Sequence, residues 1–297
     1  MLTINAAEMG PAQLQNYLQY AIAPRPICFA TTIDQAGNVN LSPFSFFNLF
    51  STNPPLCIFS PARRVRDNTT KHSLENILEV KECVINIVNY AMVQQVSLAS
   101  TDYAKGINEF DKAGFTMLPS QLVKPPRVAE APVQLECIVT EVISLGEKPG
   151  AGNLVLAEIK LIHIQEEILD ADGKIDQAKI DLVARLGGDW YCRVTPESLF
   201  QVAKPLTTLG IGVDALPRGV RNSYVLTGND LGKLGNVESI PSDDEIDRIR
   251  ELPAVKEVLD ATIGDGVNRQ RELHELAKEM LAGGQICDAL KVVLLES

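Results

Sequence analysis

The stretch Pro24–Ser73 constrains this chain more than any other. It holds three short apolar runs, Ile27–Ile33, Val39–Phe47 and Leu56–Ser60. Turn formers cut them apart: Asp34-Gln35-Ala36-Gly37-Asn38 after the first and Asn53-Pro54-Pro55 after the second. The character then changes to Arg63-Arg64-Val65-Arg66-Asp67-Asn68-Thr69-Thr70-Lys71, which opens a helix with Leu74, Ile77 and Leu78 on one face. The predicted order is strand, hairpin, strand, strand, then a basic polar loop running into a helix start.

That junction carries chemistry. A helix start offers free backbone N–H groups and the positive end of the macrodipole, and both favour an anion, most often a phosphate. Arg63, Arg64, Arg66 and Lys71 against Asp67 give the loop a local charge of +3 (four minus one) in a chain whose net charge is −11. One reading is a phosphate clamp. The other is a solvated loop whose arginines pair with carboxylates elsewhere.

Bulk properties exclude several classes. A pI near 4.9 argues against general binding to nucleic acid or anionic membrane. Met1–Gly10 lacks the basic start and apolar core of a signal peptide, so a cytoplasmic location is expected. The longest uncharged run, Asn38–Ala62, contains Pro43, Pro54, Pro55 and Pro61 and is no membrane span. The six cysteines form no CxxC pair, and Cys28, Cys57, Cys83 and Cys137 lie in apolar strand-like runs; buried free thiols are expected. The three histidines, His72, His163 and His274, lack metal-ligand spacing, so no metal site is expected. Asp170–Lys174 has the look of a calcium loop without its downstream glutamate. Gly210-Ile211-Gly212-Val213-Asp214-Ala215 fits GxGxxA, but Pro217 and Gly219 break the helix that a dinucleotide site requires.

The remaining elements follow from pattern. Pro11–Ala21 reads as a short helix, Cys83–Val88 as a strand and Tyr90–Ser100 as a helix. Thr101–Pro132 is polar and proline-rich, either an irregular surface insertion or a lid. Val133–Leu145 and Asn153–Gln165 read as two long strands joined by a glycine-rich hairpin loop. Residues 206–240 read as an extended linker, and 241–297 as a helical appendage that starts with the capping box Ser242–Glu245.

Pro24-Arg25-Pro26 before an apolar strand, then Ser42–Asn48, Asn53-Pro54-Pro55 and Arg66-Asp67-Asn68-Thr69, in that order, resemble the flavin reductase-like family with the FMN-binding split barrel, and within it the flavoredoxin-type members. The resemblance covers about Tyr20 to Pro205. It implies a mainly β fold with peripheral helices, built on a six-stranded antiparallel split barrel in residues 1–205. It also implies a homodimer with FMN near the dimer interface. By resemblance, Arg66, Asn68, Thr69 and Lys71 would hold the FMN phosphate. Thr31 and Thr32 would meet the isoalloxazine edge, Ser45, Phe46, Phe47 and Asn48 would run along the ring and ribityl chain, and Ser60 would reach the ribityl hydroxyls. His163 is either a packed strand residue or a site residue. Gly187 and Trp190 are either a tight turn with an aromatic plug or a segment near the flavin, from the partner subunit. No catalytic acid or base is named. The implied functions are an NAD(P)H-dependent reductase of flavin or another small acceptor, and a flavoredoxin-like electron carrier with no nicotinamide site. A barrel that serves assembly without flavin is a third.

Overall fold

The computed structural model describes residues Met1–Leu295. They form two compact units, Met1–Phe200 and a second that begins at Gln201. In the first unit, helix α1 (Pro11–Ala21) opens with proline at its first position. Four strands follow: β1 (Cys28–Ile33), β2 (Val39–Phe44), β3 (Phe47–Thr52) and β4 (Pro55–Phe59). Then come α2 (His72–Glu79), β5 (Glu82–Ile87), α3 (Val93–Leu98), α4 (Glu109–Ala113) and the short pair β6 (Met117–Leu118) and β7 (Arg127–Val128). The long strands β8 (Val133–Ser144) and β9 (Asn153–Ile164) precede a last hairpin, β10 (Val183–Arg185) and β11 (Tyr191–Arg193).

The main sheet has seven strands in the order β2-β1-β5-β8-β9-β4-β3, every pair antiparallel. That is one strand more than the six expected. The run Val39–Phe47 does not stay one strand: it bends at Ser45-Phe46 and resumes as β3. Pro43 sits in β2, at a sheet edge, where a missing N–H costs no ladder bond.

Two apolar clusters sandwich this sheet. Cys28, Ala30, Phe59, Ile85, Cys137 and Val155 belong to one; Phe29, Leu41, Met92, Phe110 and Val128 belong to the other. Strand β1 is buried on both faces: Cys28 and Ala30 pack into the first cluster and Phe29 into the second, and Thr31 and Thr32 are buried with them. In β8, Val133, Leu135, Cys137 and Val139 face the first cluster.

The segment Thr101–Pro132 is neither a plain insertion nor a loose lid. It folds into α4 and the β6–β7 hairpin and buries Phe110, Phe115 and Val128. Helix α4 is capped by the Asn108 side chain at its start and by Gly114 at its end, with φ of 71°.

The second unit has helices α5 (Arg218–Arg221), α6 (Gly228–Gly235), α7 (Asp243–Arg248), α8 (Pro253–Ala261), α9 (Gly266–Ala282) and α10 (Ile286–Leu294). The expected linker, residues 206–240, is instead part of this fold. Leu216, Val220, Leu226 and Leu234 are buried in one core with Leu273, Leu281 and Leu290. Their elements are too short to show a helical period, so only packing reveals them. The GxGxxA segment is no dinucleotide loop: it pairs backbone to backbone with the end of α6, Ile211 N to Val237 O at 2.8 Å and Gly212 N to Gly235 O at 2.9 Å. A Cβ on Gly210 would stand 2.6 Å from Gly235 O, so the glycine serves close chain passage.

Candidate functional site

The basic loop leaves β4 and is stitched to the β8–β9 hairpin. Asn153 N donates to Ser60 Oγ at 3.1 Å and Asn153 Nδ2 to Pro61 O at 3.0 Å. Arg63 N donates to Ala151 O at 2.8 Å, and Asn68 Nδ2 to Glu147 O at 3.0 Å. Inside the loop, Arg63 donates to Asn68 Oδ1 at 2.8 Å and to Asn68 O at 2.7 Å. Asn68 has φ of 59°, a left-handed conformation that asparagine tolerates better than most residues. Asp67 Oδ1 accepts from Thr69 N at 3.0 Å and from Thr69 Oγ1 at 2.7 Å. The Thr69 hydroxyl and amide, followed by Arg66, hold the Asp67 carboxyl far below the usual carboxylate range. Asn68 and Thr69, expected to hold phosphate, are therefore engaged in building the loop.

The cations are arranged differently. Arg64 is mostly buried, its side chain 13 % exposed, and it donates to Thr69 Oγ1 at 2.9 Å, to Thr70 O and to Asp102. Its Nε is buried with no hydrogen-bond partner. Arg66, 67 % exposed, reaches Asp67 and the same Asp102 carboxylate. Hydrogen bonding to Arg64 holds Asp102 below its ordinary value. Lys71 is half-buried, and among the described residues no carboxylate lies within 4.0 Å of it. Burial, then the neighbouring Arg64, lowers its pKa. Helix α2 starts at the next residue, and its first amides have no intrahelical carbonyl.

Arg64, Lys71, His72, Ser73 and Asp102 line a small, open polar depression whose floor includes Asn40, Ser42 and Glu109. Sequence reasoning missed the floor. Ser73 Oγ donates to Asn40 Oδ1 at 2.6 Å, Asn40 Nδ2 to Glu109 Oε1 at 2.7 Å and Leu41 N to Glu109 Oε2 at 2.9 Å. These partners lie far apart in the chain, and no local pattern joins them. Chemically, the depression sets guanidinium and ammonium groups and a helix start beside the carboxylates of Asp102 and Glu109. It suits an oxyanion.

Other expected residues fall elsewhere. Phe46 is 44 % exposed and Asn48 is exposed, with Ser45 and Phe47 half-buried; Ser60 N donates to Phe46 O at 2.9 Å, which ties this segment to the loop's origin. Thr31 and Thr32 are wholly buried, their hydroxyls accepting from Asn86 and Asn76, so neither is presented to a ligand. His163 stands ten residues along β9 from Asn153 (163 minus 153). At about 3.3 Å per residue that is at most about 33 Å along the strand from the loop's stitching point. Gly187 and Gly188 cradle Tyr20: a Cβ at Gly187 would stand 2.3 Å from the Tyr20 ring. Trp190, on the same turn, is 70 % exposed, so it plugs no core within the chain.

Cys28, Cys57, Cys83 and Cys137 are buried free thiols, and burial pushes Cys57 up to about 11. Cys192 is half-buried and Cys287 exposed. Among the described residues there is no cluster of three metal-ligating side chains, and no helix is long and apolar enough to cross a membrane.

The flavin reductase like domain family matches residues 20–179, more than half of the chain. This chain belongs to that family. Nitrilotriacetate monooxygenase component B from Bacillus cereus is 27 % identical and superposes with a TM-score of 0.63 over 68 % of this chain and 98 % of that one. The 2-nitrobenzoate 2-nitroreductase of Pseudomonas fluorescens is 26 % identical, with a TM-score of 0.62 over 71 % of this chain and 100 % of that one. A flavin reductase-type protein with a split barrel domain from Shewanella frigidimarina, 24 % identical over 68 % of this chain and 100 % of that one, shares the fold at a TM-score of 0.58. The fold is the split barrel of this family, with the helical second unit beyond the matched residues.

Proposed function

We propose that this chain is an FMN-binding flavoprotein that reduces a flavin or another small acceptor with electrons from NADH or NADPH, and that it works as a cytoplasmic homodimer. The observation that carries the reading is the cation set beside the depression: Arg64 and Arg66, which share the single carboxylate of Asp102, and Lys71, which has no carboxylate within 4.0 Å among the described residues. A phosphate monoester has the charge and acceptor oxygens that such a set lacks.

In this reading Arg64, Arg66, Lys71 and the first amides of α2 hold the phosphate. The exposed segment Phe46–Asn48, tied to Ser60 beside the loop, gives the ribityl chain and ring a path along β3. FMN supplies the hydride and electron chemistry. The chain orients it, excludes water and controls which acceptor approaches. Family membership and the likeness to the Bacillus cereus monooxygenase component and the Pseudomonas fluorescens nitroreductase support a redox role. The homodimer is supported by β3, an edge strand that exposes Leu49 and Phe50, and by exposed Trp190.

The test is spectroscopic. The purified protein, loaded with FMN, is mixed anaerobically with NADH or NADPH. Bleaching of the flavin band supports the reductase. Bleaching only by a chemical reductant favours a flavoredoxin-like carrier. A protein that takes up no FMN at all sinks the reading, and light scattering giving a monomer removes the dimer.

A further inference from the structure

We infer that Asp102 is a built-in competitor for the phosphate seat, so that flavin is taken up and released rather than held permanently; this rests on the FMN reading above. Asp102 sits just beyond α3, 36 positions from Arg66 and 38 from Arg64. Its two carboxylate oxygens are divided between the two guanidinium groups, Oδ1 to Arg64 and Oδ2 to Arg66. It thus occupies, with one negative charge, the place that the cation set would give to a phosphate. The carboxylate cannot complete the site. Lys71 stays outside ion-pair distance, so the internal anion satisfies only part of the donors. A phosphate dianion with three terminal oxygens satisfies more of them.

Two features make Asp102 displaceable. Its side chain is 30 % exposed, and its segment, Ser100–Ala104, lies outside helix and strand. The pair it makes with Arg66, 67 % exposed, is close to solvent and correspondingly weak. Because the carboxylate is tethered, it acts as an anion at high effective concentration that every incoming phosphate must displace. Riboflavin has no phosphate and does not meet this competition.

The experiment measures FMN and riboflavin affinity by flavin fluorescence quenching, and FMN release by stopped flow, for the full chain and for Asp102→Asn and Asp102→Ser. The expected result is FMN binding about three- to tenfold tighter in both variants, with release slowed by a similar factor and riboflavin affinity unchanged. Near-ultraviolet circular dichroism checks that the fold is kept. FMN affinity that stays equal or falls in both variants overturns the inference and makes Asp102 a support for the arginines. A wild-type chain that binds FMN no better than riboflavin overturns the phosphate reading itself, and this inference with it.

Discussion

His163 Nε2 lies 2.8 Å from Glu136 Oε1, and the Glu136 side chain is completely buried. The same carboxylate accepts from the backbone of Gln121 at 2.8 Å, Leu122 at 2.6 Å and Val123 at 3.3 Å. Arg127 Nε stands 3.9 Å away. Glu136 therefore pins the segment before β7 onto β8 and β9, and His163 is a structural partner of that anchor.

Glu136→Gln keeps the shape but replaces an acceptor oxygen with a donor facing backbone N–H groups. A loss of about 3–5 kcal/mol is expected, as for one partner removed from a buried charged network. Burial alone would raise the Glu136 pKa, but the Gln121 and Leu122 amides and His163 outweigh it and hold the carboxyl below its ordinary 4.5. A depressed acid stabilises the fold fully above its unfolded value and loses that contribution as pH falls through the folded one. Denaturant melts of wild type and variant should therefore differ most near neutral pH and converge below pH about 4.5. A constant difference across that range would rule out the charged role.

Arg64→Ala should weaken FMN about ten- to a hundredfold, the effect of losing a charge-assisted contact of about 1.5–3 kcal/mol. Arg66→Ala should weaken it less, since that side chain is 67 % exposed against 13 % for Arg64. Riboflavin should bind all three proteins alike. Equal loss for both ligands would point to damage in the barrel.

Gly187→Ala places a methyl 2.3 Å from the Tyr20 ring. It should destabilise by about 1–3 kcal/mol through overpacking, or expel Tyr20 and loosen α1. Tyr20→Ala in the same chain should erase most of the difference. A double-mutant cycle with no coupling would show that Gly187 is needed for another reason.

Cutting the chain after Phe200 should leave a folded first unit that still binds flavin. Each unit has its own apolar core, one set lying on the sheet and the other on α5–α10. Circular dichroism and FMN titration of the shortened chain check this. An unfolded product would show that the second unit belongs to the folding of the first.

His274 is buried and accepts or shares a proton with Ser223 Oγ at 2.7 Å from Nδ1. Burial lowers its pKa from 6.5. The unfolded state therefore binds more protons just below 6.5, and stability of the second unit should fall as pH drops through that value. Amides of α9, corrected for intrinsic exchange, should be less protected at pH about 5.5 than at pH about 7.5. Equal protection would mean that His274 finds a compensating acceptor when charged.

By itself the sequence determined the strand core of the first unit, its hairpin turns and the place where a basic loop meets a helix. These are local or periodic properties: alternation in β8, turn formers at Asp34–Asn38, a charge cluster in consecutive residues. It also determined the caps at Ser242 and the helices around Leu273 and Leu290, whose apolar stripes repeat at helical spacing. Only the tertiary structure decided which cations stay free. Arg64 and Arg66 face Asp102, and Asn68 and Thr69 turn inward, because partners close in space lie tens of positions apart in the chain. It also decided that residues 206–240 fold, since their short elements gain stability only by burying Leu216, Val220, Leu226 and Leu234 together. Pairing and burial are properties of contacts between distant segments, and a linear pattern carries no record of them.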